Sequence, residues 1–386
     1  MKTFFYADRI VTENGELSGA VVEENGTILS VGKETEKPQS GDRVYDLRGR
    51  ILIPGLLEMH SHGAGGHSFT DTSTEEVAAG CDFLLAHGAT SLLPTVTTGP
   101  FCRMAEAARH IRTVKEQQLS RAHVLGVHLE GPYLSRRQAG GQCADYITVP
   151  REEEYLPFLR EMRGVLRRWD FAPEQDPRGS FAKALRDADV LAAAAHTDAT
   201  YEEMLPALEN GLSLITHLYS CTSTVTRKGG FRSLGVIETA FLMDQLYVEI
   251  IADGKHLPKE LIQMIVKIKG RERTALITDS LSIAGMDVRE GSMSGTNYIV
   301  EDGVCKLKDR SAFAGSVATP DRLLAVMTQE CGFSLADAVY MAATTPANIL
   351  SLPNKGRISP GADADLVVLN ENLSVDSVFV CGRRAV

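Results

Sequence analysis

Cysteine is scarce in this chain, and its distribution excludes two common uses of the residue. The 386 residues include seven cysteines, which are odd in number, widely scattered and never arranged as Cys-x-x-Cys. A disulfide framework or a thiolate zinc site of the usual kind depends on paired or closely spaced cysteines. We therefore expect reduced, mostly buried thiols.

The chain also lacks long apolar runs and clusters of basic residues. No apolar run approaches the ~20 residues of a membrane span, and residues 1–11 show no basic region followed by an apolar stretch. The formal net charge is −10, so the basic surface that nucleic acid or an anionic membrane would need is missing. We expect a cytoplasmic protein whose partner is a small molecule, with no nucleic acid and no membrane.

Two kinds of pattern meet near residue 54. The first part consists of short β runs, with a hairpin signal at Asn25-Gly26. From Pro54 onward, apolar β runs alternate with segments whose apolar residues recur every three or four positions, which is typical of βαβ units. The β runs cover residues 56–60, 91–95, 124–129, 169–172, 190–195, 212–216, 247–252 and 275–278, and the helical segments include 75–87, 103–118, 201–210 and 259–269.

The number of β runs predicts the fold. Eight parallel strands with crossover helices close most naturally into a barrel. We therefore predict an α/β fold with a (β/α)8 TIM-type barrel over residues 54–353. Strand-like runs return at 365–369 and 378–380, so we expect residues 1–53 and 354–386 to form a small β-sandwich domain together.

Residue types that bind metals stand at the ends of most of these runs. Catalytic groups of a barrel lie at the carboxyl ends of its strands, so such residues would meet around one axis. In the first run, two histidines separated by one residue point to the same face of the strand. Asp253 also ends a run, but the predicted metal ligands are His60, His62, Glu130, His196, His217 and Asp279.

The donor set indicates which cations the site would take. Neutral imidazole combined with carboxylate suits zinc or iron better than calcium or magnesium. Six ligands fit two ions more comfortably than one, so we expect one or two divalent ions, with Glu130 able to bridge a pair. Water activated by such an ion is what a hydrolase needs at neutral pH.

Asp279 is the predicted proton carrier and the predicted catalytic residue. A carboxylate within reach of both the attacking water and the leaving nitrogen could move a proton from one to the other. The alternative is that Asp279 caps a helix beginning near Ser280.

Several motifs resemble one family across almost the whole chain, in the expected order. Those that look like motifs of the N-acetylglucosamine-6-phosphate deacetylases, in the amidohydrolase superfamily, are residues 128–132 (HLEGP), 251–256 (IADGKH), 278–279 (TD) and 313–316 (FAGS). Two others are similar to the superfamily at large: residues 54–56 (PGL) and 361–366 (GADADL).

The resemblance implies a function and a distribution of roles. The expected reaction is hydrolysis of the acetamide of an N-acetyl amino sugar 6-phosphate to acetate and the free amine, by a homodimer. It implies that Glu130, His196 and His217 bind the principal metal and that Asp279 acts as base and then as acid. The first-strand histidines match members that hold a second metal. The implied substrate contacts are Gly141, Arg227, His256, Phe313, Ala314 and Gly315, with Arg227 and His256 near the phosphate.

The chain departs from the family pattern at the substrate positions. Ser220 and Cys221 replace the usual Asn-Ala pair, and Gln142 stands where many members have histidine. We therefore add these three residues to the predicted substrate contacts. The basic residues Arg227, Lys228 and Arg232 could clamp a phosphate, or could simply be solvated in a loop.

Two other functions are compatible with this barrel. One is another amidohydrolase, such as a cyclic-amide hydrolase or a deaminase acting on a different N-acylated substrate. Dihydroorotase-like members carry a carboxylated lysine on strand four, but residues 169–174 (WDFAPE) contain no lysine. The other is a sugar-phosphate sensor without activity, which would have lost a ligand or the aspartate. Neither loss is present, so the sequence favours the deacetylase.

Overall fold

The chain folds into a closed barrel with a β domain against it, and the computed structural model describes residues 1–33 and 36–386. Eight strands form the barrel, each parallel to the next. A parallel bridge between Ser61 and Ser280 joins the first strand to the segment after the last. The strands are Leu56–Ser61, Ala89–Val96, Val127–Glu130, Leu166–Phe171, Leu191–Ala194, Leu214–Ile215, Tyr247–Ile251 and Thr274–Ile277.

Helices surround the barrel, and local capping fixes where several of them begin. The Ser73 side chain accepts the backbone N–H of Glu76, and Thr200 and Glu203 form a reciprocal capping box. The main α-helices are Thr74–Ala86, Phe101–Gln117, Glu152–Glu161, Ser180–Asp187, Tyr201–Glu209, Val236–Leu242, Lys259–Lys269, Pro320–Ala325, Leu335–Val339 and Thr345–Ile349. A π-helical turn at Val326–Glu330 extends the helix Pro320–Ala325. A second, at Tyr340–Thr344, connects Leu335–Val339 to Thr345–Ile349.

Short elements decorate the loops of the barrel. They comprise the 3₁₀ turns Arg136–Gln138, Ala144–Tyr146 and Pro173–Gln175, and the small strands His123–Val124, Gly63–Ala64, His67–Ser68, Thr226–Lys228, Phe231–Ser233, Glu290–Met293, Thr296–Glu301 and Val304–Leu307. The predicted run 124–129 is split into the strands His123–Val124 and Val127–Glu130. Gly126 lies at the break with a φ of 153°, and a Cβ at this position would lie 2.2 Å from the Val165 carbonyl oxygen.

Both ends of the chain share one mixed sheet. Its strands are Lys2–Thr12, Gly15–Glu24, Thr27–Gly32, Arg43–Asp46, Ile51–Pro54, Leu366–Leu369, Val375–Val380 and Arg383–Arg384. Leu366–Leu369 pairs antiparallel with Ile51–Pro54. The hairpin at Asn25-Gly26 has φ values of 55° and 85°, as a two-residue type I′ turn requires. The predicted fold class is confirmed.

The alternation of side chains explains how this sheet holds two cores. Leu52, Leu366 and Val368 pack into the interior of the small domain, while Ile51 and Val367, on the opposite face, join the main core of the barrel. Within the described residues, no helix is long and apolar enough to cross a membrane. All seven cysteines are free thiols, but only Cys81, Cys305 and Cys331 are buried, so the expectation of mostly buried thiols is wrong.

Candidate active site

Six predicted side chains meet at the carboxyl end of the barrel. They come from or directly follow five strands, and all are buried. His196, His217 and Asp279 each stand two residues beyond a strand, with φ values of 44°, 30° and 47°. Such left-handed backbone costs about 1–3 kcal/mol per residue and persists where the surroundings enforce it, commonly at active sites.

Glu130 lies at the centre of the cluster. Its Oε1 is 3.1 Å from His196 Nε2, 3.0 Å from His217 Nε2 and 3.5 Å from His60 Nε2, and its Oε2 is 3.2 Å from His62 Nε2. Asp279 faces the first-strand histidines from the other side, with Oδ1 3.5 Å from His60 Nε2 and 3.3 Å from His62 Nε2. Two carboxylates thus collect the Nε2 atoms of four imidazoles.

The second ring nitrogens of two histidines fix their tautomers. His196 Nδ1 lies 2.8 Å from the Gln138 carbonyl oxygen, and His217 Nδ1 lies 3.1 Å from that of Ser220. A carbonyl oxygen only accepts, so each Nδ1 carries a proton and each Nε2 is directed at Glu130. Two imidazole nitrogens thus converge on one carboxylate oxygen, the arrangement of donors that a cation between them would bind.

His60 gives the sharpest evidence that the cluster fits a metal ion. The side chain is fully buried, and neither ring nitrogen has a hydrogen-bond partner; His62 Nδ1 also has none. Leaving buried polar atoms unpaired is costly, and a bound cation would satisfy them. Three triplets that share His60 have ligand atoms within 4.8 Å of one another. Two lie in the cluster: His60, Glu130 and His217, and His60, His62 and Asp279; the third is completed by His128 and Asp170, below it.

The two carboxylates are ionised by their surroundings. Burial would raise the pKa of Asp279, but the hydrogen bond from His62 and the charges of both first-strand histidines lower it to about 2. Burial acts in the same direction on Glu130, and the charge of His60 with the hydrogen bonds of His196 and His217 brings its pKa well below the usual range. Both side chains are therefore carboxylates, the form that binds a metal ion.

A layer of paired charges lies deeper in the barrel. Arg168 Nε lies 2.7 Å from Asp170 Oδ1, and its Nη2 lies 2.8 Å from Glu249 Oε2; all three side chains are fully buried. Thr216 donates to Asp170 at 2.7 Å. Glu249 Oε2 is 3.6 Å from His60 Nδ1, so this layer stands directly behind His60.

Gln142 holds Glu130 from the loop side. Its amide NH2 donates to Glu130 Oε2, while its carbonyl oxygen accepts from Thr97 Oγ1 at 2.7 Å and from the Thr98 backbone N–H at 3.1 Å. These donors determine the orientation of the amide. The residue that replaces the family's histidine therefore orients the central carboxylate and also lines the cavity.

A cavity of about 230 Å³ opens beside the cluster and brings together most of the predicted substrate contacts. His256 is fixed there by Asp253, whose Oδ2 lies 2.8 Å from Nδ1, and the ring stands edge-on to Phe313. This leaves Nε2 of His256 for a ligand. The lining includes His62, Glu130, Gly141, Gln142, His196, His217, Ser220, Cys221, His256, Asp279, Phe313, Ala314 and Gly315.

Other predicted residues lie apart from this cavity. Arg227 does not line it but stands on an exposed hairpin, Thr226–Lys228 with Phe231–Ser233, directly opposite Arg232. The helix proposed after Asp279 is wrong: Ser280 bridges to Ser61 and turns follow, because closure of the barrel pairs this segment with the first strand. Asp253 binds His256 and two backbone N–H groups.

The sequence reasoning missed Arg168, Asp170 and Glu249. Arg168 and Asp170 are two residues apart in one strand and so share a face. A charge at each of two such positions in an apolar run was a signal that the barrel interior itself is ionic.

Comparisons with known proteins place this site in a family. The sequence profile of the amidohydrolase family matches residues 51–385. The N-acetylglucosamine-6-phosphate deacetylase of Lysinibacillus sphaericus is 31% identical over 335 residues, which cover 87% of this chain and 85% of that protein. The chain belongs to the N-acetylglucosamine-6-phosphate deacetylase family of amidohydrolases. It is therefore a metal-dependent hydrolase of amide bonds.

Two further relatives bear on substrate and fold. The N-acetylgalactosamine-6-phosphate deacetylase of Shewanella sp. strain ANA-3 is 30% identical over 371 residues, 95% of this chain and 90% of that protein. Among solved structures, a mutant N-acetyl-D-glucosamine-6-phosphate deacetylase of Mycobacterium smegmatis, in complex with N-acetyl-D-glucosamine-6-phosphate, has a TM-score of 0.91 at 28% identity. It is covered to 99%, and this chain to 100%.

Proposed function

We propose that this chain hydrolyses the acetamide of N-acetylglucosamine 6-phosphate, releasing acetate and the amino sugar phosphate. The observation that carries the proposal is the convergence of four imidazoles on Glu130 and Asp279 beside a small cavity. Near full-length similarity to enzymes named for this substrate supports the choice of ligand.

The donor set supports a distribution of the ligands over two metal positions. Glu130, His196 and His217 would hold the principal divalent ion, and His60 and His62 would hold a second with Asp279. Zinc and iron both suit imidazole and carboxylate donors. A bound ion of this kind lowers the pKa of water to about 7 and polarises a carbonyl group.

Asp279 would move the proton that the reaction transfers. Its pKa of about 2 makes it a carboxylate at neutral pH, so it can accept a proton from the attacking water as the water oxygen bonds to the acetyl carbon. The same proton then passes to the nitrogen as the C–N bond breaks. His256, oriented by Asp253 across the cavity, would contact the sugar phosphate.

The exposed hairpin offers the best candidate for a phosphate clamp. Arg227 and Arg232 are direct cross-strand partners, and like charges in that position repel each other unless an anion lies between them.

Phe231 at the same turn is 83% exposed. We also propose a homodimer, in which burial of this side chain would be an advantage; sedimentation velocity would test it.

A second candidate substrate is N-acetylgalactosamine 6-phosphate. The Shewanella enzyme named for it is almost as similar in sequence as the glucosamine enzymes. Ser220 and Cys221, which replace the family's usual pair, line the cavity. The epimer preference therefore depends on residues at which this chain departs from the pattern.

The test is acetate release by the metal-replete protein from both phosphosugars and from unphosphorylated N-acetylglucosamine. We expect the phosphorylated glucosamine derivative to react fastest and Arg227→Ala to raise its KM about tenfold, the loss of one ionic hydrogen bond. KM for the unphosphorylated sugar should stay constant. Faster reaction of the galactosamine derivative would favour the second candidate, and no release from any of the three would refute both.

A further inference from the structure

A second cluster of metal-ligand side chains lies at the opposite end of the barrel. His123 begins the short strand that precedes Val127–Glu130, while Asp365 and Cys381 belong to the small β domain. His123 Nε2 lies 3.5 Å from Cys381 Sγ and 3.5 Å from Asp365 Oδ1, and the three ligand atoms lie within 4.8 Å of one another. His123 is far in sequence from Asp365 and Cys381, so no spacing motif predicts this cluster.

The two distances match the edges of a zinc coordination tetrahedron. With Zn–N and Zn–O of about 2.0 Å and Zn–S of about 2.3 Å, tetrahedral angles place nitrogen about 3.5 Å from sulfur and about 3.3 Å from oxygen. Both contacts converge on one atom, His123 Nε2. A single N–H proton there could point at only one of the two partners, whereas a cation between the three would satisfy all of them.

The surroundings of Asp365 are those of a ligating carboxylate. Its Oδ2 binds Lys355 Nζ at 2.6 Å, and Lys355 also lies 2.8 Å from Asp363 Oδ2. Its Oδ1 accepts the Cys381 backbone N–H at 2.8 Å and faces His123. Hydrogen bonds of this kind orient metal ligands. A dication together with Lys355 would balance three anions: the thiolate and the carboxylates of Asp363 and Asp365.

The cluster is also open to a cation from solvent. His123, Lys355 and Cys381 line a cleft of about 1020 Å³ between the barrel and the β domain. The cleft supplies an entry path and room for water at a fourth position. A thiolate among the ligands selects zinc over the hard cations.

We propose that His123, Asp365 and Cys381 form a second zinc site, which links the amino-terminal end of the barrel to the β domain. The site is remote from the hydrolytic centre, which is built at the carboxyl ends of the strands. Its occupancy therefore adds one metal equivalent per chain and leaves turnover unchanged. The expected role is a structural staple between the two domains.

The test counts zinc in the full-length protein after equilibration with excess zinc and desalting. We expect Cys381→Ser and His123→Gln each to hold one equivalent fewer than wild type, with unchanged acetate release. Cys102→Ser is the matched control, because Cys102 is exposed and stands on a helix of the barrel wall; it should keep the wild-type count. Equal zinc in wild type and both cluster variants would overturn the proposal.

Cobalt supplies a second readout, which reports the ligand atom and not only the metal count. Cys221 lines the catalytic cavity, so its thiolate is first removed by Cys221→Ser. Titration of this variant with Co²⁺ should still produce a thiolate-to-cobalt charge-transfer band, and adding Cys381→Ser should abolish it. Absence of the band from the Cys221→Ser protein would mean that the cluster is a thiolate–imidazolium pair and not a metal site.

Discussion

Two layers of buried polar residues lie next to each other inside the barrel, and they differ in whether their polar atoms have partners within the protein. In the layer at the carboxyl ends, His60 has no hydrogen-bond partner on either ring nitrogen, and the carboxylates of Glu130 and Asp279 gather four imidazoles. In the deeper layer, Arg168 binds both Asp170 and Glu249. Both layers are almost completely buried.

The difference distinguishes a layer that can bind a ligand from a layer that positions the residues above it. A layer that leaves polar atoms unpaired is less stable without a ligand, because burial without a partner costs free energy. A layer whose charges are all paired holds its geometry without one, although removing one partner exposes the others to the full desolvation penalty. The candidate active site thus lies on a layer of paired charges, and the contact between Glu249 and His60 joins the two.

The largest expected effect is on turnover, from Asp279→Asn. The amide keeps the shape of the side chain but cannot accept the proton, so kcat should fall about a thousandfold, within the range of acid–base catalysis. The principal ion, which Glu130, His196 and His217 would hold, should be retained. Asp253→Asn is the matched control, because Asp253 orients His256, and it should raise KM more than it lowers kcat. Full activity in Asp279→Asn would remove this residue from the mechanism.

Removing the arginine of the deeper layer should lower the free energy of unfolding as well as the activity. Arg168→Met leaves two buried carboxylates without their partner, which should lower the free energy of unfolding by about 3–5 kcal/mol. Arg167→Met is the control: the neighbouring arginine is only partly buried and donates to the Leu350 carbonyl oxygen. Urea titration measures both. Equal stability of the two variants would show that the pairing of these buried charges does not stabilise the barrel.

Acid should weaken the same layer. Burial opposes ionisation of Asp170 and Glu249, but the charge of Arg168 outweighs it and lowers the pKa of both. A carboxylate with a lowered folded-state pKa contributes stability above its unfolded pKa, about 3.9–4.3, and loses it as the pH falls further. The free energy of unfolding of the metal-free protein should therefore drop between pH 5 and pH 3. In Arg168→Met the drop should be smaller; an equal drop would contradict this origin.

The smallest expected effect concerns the loop that orients Glu130. Gln142→Leu removes the amide donor to Oε2, and loss of such a hydrogen bond should weaken metal binding about 10–100-fold. Gln138→Leu, whose amide donates to Asp198 instead, should leave the affinity close to wild type. Competition with a chromophoric chelator measures both. A larger loss in Gln138→Leu would reverse the assignment.

The fold could be predicted from the sequence because its signals are local. Eight apolar runs alternate with helical periodicity, and residue types that bind metals stand at the strand ends, where a barrel must collect them. The sixth strand, Leu214–Ile215, is shorter than its run, 212–216, and a turn begins at Thr216. The sequence therefore predicts that each strand exists, but it does not predict where the strand begins and ends.

The missed features depend on contacts between distant segments. Arg168 and Glu249 are 81 positions apart and bind only once the barrel has closed. Gln142 was expected to touch substrate, and its bond to Glu130 depends on the path of a loop. Arg227 resembles a family contact, yet its hairpin does not line the cavity; no spacing rule determines how far a loop extends from a strand.

The most direct test of the account is acetate release from N-acetylglucosamine 6-phosphate before and after metal removal. The account predicts rapid release by the metal-replete protein, loss of activity after chelation with the fold retained, and recovery on adding zinc or ferrous iron. Activity that persists in verified metal-free protein would contradict it. So would a metal-replete, folded protein that releases no acetate.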